Sequence, residues 1–198
     1  MKKLIVITWL LLLFSVIGGL FWYNELVYHL PTPVPKNYKP IGFGRVISLS
    51  APLNHDFSKP LFLHFFNPDC PCSRFNITNF KSLVKQYGQQ VNFVVVVISA
   101  KTYSVADIQD RFGLNVPVLF DASLAIACGV YSTPQAVLLD TQHKLYYRGN
   151  YNSSRYCTDP KTSYAKIAVA GLLNGHARLF FDRQALTAYG CQLADNAN

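Results

Sequence analysis

The residues of this chain best equipped for chemistry are its five cysteines, Cys70, Cys72, Cys128, Cys157 and Cys191. A thiolate is a nucleophile and a soft metal ligand, and two thiols exchange electrons by closing a disulfide. Cys70 and Cys72 flank one proline in FFNPDCPCSRF, Phe65 to Phe75, directly after an apolar run. Redox dithiols usually stand as C-x-x-C. The spacing here is C-x-C, and Ser73 holds the place of the second cysteine. An odd count leaves at least one thiol outside any set of intramolecular disulfides.

Cys70 is the natural nucleophile. At the N-terminus of a helix it lies beside unpaired backbone N–H groups and the positive end of the dipole, which favour the thiolate. Pro71 suits the first helical position, where its missing N–H has no partner to lose. Asp69 works the other way, because a nearby carboxylate raises a thiol pKa. Positions i and i+3 share a helix face while i and i+2 diverge, so Ser73 rather than Cys72 neighbours Cys70. A Cys70–Cys72 disulfide therefore needs non-helical backbone around Pro71; otherwise Cys70 works as a monothiol or is resolved by Cys128. Cys128, on the apolar face of SLAIACGV, reads first as a small buried hydrophobe. Cys157 and Cys191 stand in the less regular C-terminal region and are expected to form a structural disulfide, with resolution of Cys70 by Cys157 as the competing arrangement. A copper(I) site would instead join Cys70 and Cys72 to a histidine, with His143 and His176 the downstream candidates. His64, inside a strand run, reads as a packed core histidine. No phosphate loop, Ser-His-Asp order or paired-carboxylate site competes.

These side chains need a strand-to-helix turn, and the pattern supplies one. Lys59–Phe66 and Val91–Ser99 are short runs rich in β-branched and aromatic residues, apolar enough for strands buried on both faces. Between them Phe75, Phe80, Leu83, Val84 and Tyr87 recur at near-helical spacing until Gly88, which makes a βαβ unit. Ser104–Phe112 predicts a second helix, with Ser104 as N-cap and Asp107 three residues on, a weak version of the capping box. A short strand at Val116–Phe120 and a short helix at Ser123–Cys128 follow. Ala136–Asp140 and Lys144–Gly149 predict a hairpin, and a final helix runs from Thr158 or Asp159 to Leu173 with Pro160 in its first turn. The order gives an α/β fold, a central mixed sheet with helices on both faces.

Ahead of this unit, Leu4–Tyr23 is an uninterrupted apolar run of the length needed to cross a bilayer as a helix. It ends in Phe21, Trp22 and Tyr23, residues suited to a membrane interface, which favours an uncleaved anchor; a cleaved signal peptide, ordinarily shorter and ending in small residues, is the alternative, and both export the domain. Lys2 and Lys3 precede it, so the positive-inside rule leaves the N-terminus in the cytoplasm and exports the rest. The expected organisation is a signal-anchor helix over 1–25, a linker over 26–40, a folded domain over 41–175 and a C-terminal extension over 176–198. Residues 31–40, PTPVPKNYKP, hold four prolines and read as an extended spacer. The net charge of +8 is spread singly, without the stripe that binds nucleic acid, and fits solubility and attraction to an anionic membrane surface.

FFNPDCPCSR resembles the strand-to-helix turn of thioredoxin-like proteins, especially the membrane-anchored bacterial periplasmic redoxins with a motif close to F-W-A-T-W-C-x-x-C-R. GVYSTPQAVLLD, Gly129 to Asp140, resembles their second signature, a segment whose proline is cis and faces the active cysteine. YRGNY, Tyr147 to Tyr151, is similar to the Y-R-G after the last hairpin of several relatives. The resemblance covers roughly residues 41 to 175. It implies a thioredoxin-like fold and thiol-disulfide oxidoreductase activity at the bacterial inner membrane, the domain in the periplasm and protein or small-molecule thiols and disulfides as partners. It implies Cys70 as nucleophile, Pro134 as the facing cis-proline, Ser73 in the place of the second cysteine, Arg74 in support, and no cofactor; Cys72 has no counterpart in that family and joins the expected catalytic set, with Thr133, on its place in this sequence. Two alternatives stand beside it: a Sco-like copper(I) chaperone using Cys70, Cys72 and His143, and a peroxiredoxin-like peroxidase, whose P-x-x-x-T-x-x-C pattern is absent.

Overall fold

The computed structural model describes residues 2–49, 56–154 and 156–193. The chain divides into two units, Met1–Pro31 and Thr32–Asn198. The first is one helix, α1, Lys2–His29. Its stretch Lys2–Asn24 is long and apolar enough to cross a membrane, with no charge after Lys3.

The second unit is built on β1, Leu61–Phe66, whose six residues are all buried. Helix α2, Pro71–Tyr87, follows it and returns the chain to β2, Asn92–Val97, which pairs parallel with β1 from Leu61↔Asn92 to Phe66↔Val97. Helix α3, Val105–Phe112, carries the full capping box: the Asp107 N–H donates to Ser104 Oγ, and the Asp107 carboxylate accepts the Ser104 N–H. Then come β3, Val118–Leu119, helix α4, Ala122–Cys128, and β4, Ser132–Thr133. The hairpin is β5, Gln135–Leu139, and β6, Leu145–Gly149. Helix α5 spans Tyr164–Leu173, α6 spans Arg183–Leu186, and β7 is Cys191–Gln192.

The main sheet has the order β3-β2-β1-β5-β6, with β5 antiparallel to β1. Alternation along β1 sorts the core into two layers. Phe62 and Phe66 point to one face, against Phe80 and Leu83 of α2, Ile108 of α3 and Ala165, Ala168 and Val169 of α5. Leu61, Leu63 and Phe65 point to the other, against Leu124, Ala125 and Cys128 of α4. This is the thioredoxin-like arrangement, a mixed sheet with helices on both faces.

Three local features differ from the sequence reading. The expected final helix is interrupted: Asp159 caps a short 3-10 turn at Pro160–Thr162, and α5 restarts from Ser163. The Pro-rich stretch does not stand clear as a spacer from Thr32 on. Thr32 is buried, and the Tyr38 hydroxyl donates to the Gly129 carbonyl at 3.0 Å. The C-terminal extension forms α6 and β7, while its residues 194–198 lie outside the described residues.

Candidate functional site

Antiparallel pairing of β1 and β5 brings the end of one strand and the start of the other to the same edge, with Phe65 opposite Gln135. Cys70 follows β1 and Pro134 precedes β5, so topology alone places them together. The turn between β1 and α2 is shaped by Asn67, whose side chain accepts the Asp69 N–H at 2.9 Å and whose carbonyl accepts the Cys70 N–H at 3.1 Å. Ser73 Oγ closes the turn by accepting the Asn67 N–H at 3.2 Å. Cys70 is the N-cap of α2 with extended backbone and Pro71 in the first turn, and no acidic residue occupies that turn. Arg74 lies on the exposed side of the helix.

Across the edge, the Thr133–Pro134 peptide is cis, and the Thr133 carbonyl oxygen lies 3.6 Å from Cys70 Sγ. Thr133 is fully buried, and its Oγ1 has no hydrogen-bond partner.

Cys70 is disulfide-bonded to Cys191, 121 residues away, with Cα atoms 6.2 Å apart. This corrects the expected Cys157–Cys191 staple, and none of the partners weighed for Cys70, namely Cys72, Cys128 and Cys157, is the one it takes. The physical reason is strand pairing. The two-residue strand β7 adds antiparallel to β4, with Thr133 opposite Cys191, and that register lays Cys191 beside the start of α2. Cys157 is held elsewhere: its Sγ accepts the Asn76 side-chain N–H at 3.2 Å, and burial pushes its thiol up to about 12. Cys128 is fully buried against the sheet and also pushed up to about 12 by burial, which outweighs the opposing pull of Arg148. Cys72 is buried on α2, two residues past Cys70, where helix geometry turns it away.

The C-terminal segment that delivers Cys191 is anchored by the YRGN stretch. The Tyr147 hydroxyl donates to the Asn150 carbonyl at 2.6 Å. The Asn150 amide donates to the Gln184 and Thr187 carbonyls at 2.7 and 2.6 Å. Ala185 and Ala188 are fully buried, and Asp182 caps α6 through the Ala185 N–H at 2.7 Å. Gly190, at φ +149, lets the segment pass so close to β4 that an added Cβ would collide with the Thr133 carbonyl.

Asp69, expected to oppose a Cys70 thiolate, is engaged by one cation and two hydroxyl donors. Lys101 Nζ pairs with it at 3.0 Å, the Tyr103 hydroxyl donates to it at 2.9 Å and Ser99 at 3.2 Å. Its carboxyl is held below the ordinary carboxylate range, first by the Lys101 hydrogen bond.

His143 does not join the cysteines. It sits in the turn between β5 and β6, at the end of the sheet opposite to Cys70. Roughly 17 Å of strand separates the two ends. Among the described residues, no group of three or more His, Cys, Asp or Glu side chains is arranged to hold a metal ion. The partner that sequence reasoning missed is Cys191. Its signal was faint, a glycine-cysteine pair in YGCQL with no neighbouring pattern.

Two solved structures share the fold, and a third is similar to part of the chain. A hypothetical protein from Sinorhizobium meliloti 1021 is 22% identical with a TM-score of 0.56, over 69% of this chain and 79% of that one. An uncharacterized conserved protein from Geobacillus kaustophilus is 23% identical with a TM-score of 0.57, over 69% and 77%. The thioredoxin domain of a thiol-disulfide oxidoreductase from Bacteroides vulgatus gives 14% identity and a TM-score of 0.48, over 60% and 96%. No curated protein matches the chain. One family profile spans residues 46–192, enclosing Cys70, Cys191 and the cis-proline turn between them, and the chain belongs to that family, a domain of unknown function (DUF6436).

Proposed function

We propose that this protein is a thiol-disulfide oxidoreductase whose exchangeable bond is Cys70–Cys191, carried on the periplasmic side of the bacterial inner membrane by α1. The observation that carries the reading is the position of that bond. It joins the N-cap of a helix following a buried central strand to a strand paired beside a cis-proline turn. Lys2 and Lys3, ahead of the apolar helix, support an N-terminus left in the cytoplasm.

The exchange balances with sulfur alone and needs no cofactor. With the bond open, the N–H groups at the start of α2 stabilise the Cys70 thiolate. That thiolate attacks one sulfur of a partner disulfide, R–S–S–R′, forming Cys70–S–S–R and releasing R′–S⁻, which takes up a proton. Cys191, deprotonated, then attacks Cys70 Sγ; R–S⁻ leaves and the Cys70–Cys191 bond closes. The net result is two electrons and two protons moved from the protein dithiol to the partner. Run in reverse, the same steps oxidise a partner dithiol. Lys101 and Tyr103, by engaging Asp69, offset part of the carboxylate's opposition to the thiolate. Partners are protein or small-molecule thiols and disulfides.

The test uses the full chain in detergent micelles with glutathione disulfide. The reduced protein should close Cys70–Cys191, Cys191→Ser should stop at a Cys70–glutathione mixed disulfide, and Cys70→Ala should do neither. Unchanged turnover in Cys70→Ala would refute the assignment.

A further inference from the structure

Thr32 stands between the two strands that the exchange must hold together. It is 4% exposed, and its backbone N–H donates to the Ala188 carbonyl at 2.8 Å. Its hydroxyl lies 3.2 Å from the Gly190 carbonyl and 3.0 Å from Ser132 Oγ. A hydroxyl has one proton. Since the Gly190 oxygen can only accept, Thr32 donates to it and accepts from Ser132. The result is a chain running from Ser132 on β4, through Thr32, to the residue directly before Cys191. Beyond the cysteine, Gln192 pairs with Ser132, the Leu193 N–H lies 3.3 Å from the Tyr131 carbonyl, and the Leu193 side chain packs against the second core layer.

Two-residue strands have little pairing of their own, so a third element must fix their register. We propose that Thr32 is a positioning residue for the disulfide exchange, holding the Cys191 strand on β4 so that Cys191, ahead of external thiols, resolves the mixed disulfide at Cys70. This rests on the redox reading above and adds a residue from the far end of the domain, just after α1, to its machinery. A resolving thiol held in place acts at high effective concentration, and loosening the strand lowers that concentration without touching either sulfur.

The experiment measures the equilibrium between the full-chain protein in micelles and a glutathione redox buffer, for wild type, Thr32→Val and Thr32→Ser. Valine keeps the shape and loses the hydroxyl. Its equilibrium constant for closing Cys70–Cys191 should fall about tenfold, the scale of one to two net hydrogen bonds, and the Cys70–glutathione adduct should accumulate. Serine keeps the hydroxyl and should stay within about twofold of wild type. A merely structural threonine would lower the melting temperatures of the oxidised and reduced forms alike and leave the constant unmoved. A Thr32→Val constant within about twofold of wild type overturns the proposal. If valine prevents folding, Ser132→Ala removes the other end of the same chain and should shift the constant about threefold; no shift overturns the proposal equally. Failure of the wild type to close the bond at any buffer ratio would defeat the redox reading and this positioning role with it, an outcome distinct from a variant that closes like wild type.

Discussion

His64 should make the domain acid-labile in a way that can be isolated from every carboxylate. It lies on the central strand β1 with no exposed surface, its ring stacked on Phe80 at 4.5 Å and 17°. Nδ1 is 2.7 Å from the Tyr151 hydroxyl, while Nε2 has no hydrogen-bond partner. Burial pushes its pKa down from 6.5 to about 3, because a charged imidazolium there would have no water and no counter-charge. The unfolded chain therefore takes up the proton first. Stability is unaffected above pH 6.5 and is lost as pH falls from there toward 3. Between pH 7 and pH 5 the loss is about 1.5 pH units at about 1.4 kcal/mol each, or roughly 2 kcal/mol. His64→Phe keeps a ring against Phe80 and abolishes the titration. It leaves the Tyr151 hydroxyl unpaired at a pH-independent cost of about 1–3 kcal/mol. Urea unfolding of both proteins at pH 7 and pH 5 gives the comparison. The variant should start less stable and lose about 2 kcal/mol less than wild type on acidification. Carboxylates such as Asp69 and Asp107 titrate in both proteins and cancel. Equal losses in the two would refute the burial argument.

Thiol reactivity should follow burial. In the reduced protein at pH 8, thiols pushed up to about 12 are ionised to about one part in ten thousand, so Cys128 and Cys157 should alkylate far more slowly than Cys70. Mass spectrometry of timed iodoacetamide reactions reads the order, and fast labelling of Cys128 in the folded state would contradict it. Gly190→Ala, placing a methyl against the Thr133 carbonyl, should push β7 off β4 and raise the free-thiol count after air oxidation; a count equal to wild type would show that the strand tolerates the intrusion.

The βαβ start was legible because its signals are local and dense. Leu61–Phe66 and Asn92–Val97 are apolar on both faces, and Pro71 and Gly88 bracket the helix between them. The place of Cys70 at the start of the helix followed from this, whereas the cis bond before Pro134 came from the family resemblance and not from the pattern. What escaped was non-local or too short to repeat. Strands β4 and β7 have two residues each, below any periodicity, and their pairing brings Cys191 to Cys70. The prolines after α1 announced extended backbone, yet extended backbone can as well lie on a surface as stand off it, and Thr32 and Tyr38 settle that through bonds to residues about 90 to 160 positions away. Pro160 marked a helical start, but its 3-10 turn ends before α5 begins.

The order of the main sheet also sets a hazard during synthesis. Strand β1 is its centre, and one neighbour, β2, lies only one helix away in sequence, so the βαβ half can assemble early. The other neighbour, β5, begins at Gln135. Until that residue emerges and docks, LFLHFF presents an unpaired apolar edge, the kind that recruits strands from other chains. His64 is the one residue in that run able to carry charge, and in mildly acidic surroundings the unfolded chain would be protonated there. The interval between β2 and β5 is thus where the growing chain is most exposed to aggregation, and slowing synthesis after residue 100 or so should increase aggregation more than slowing it after β6.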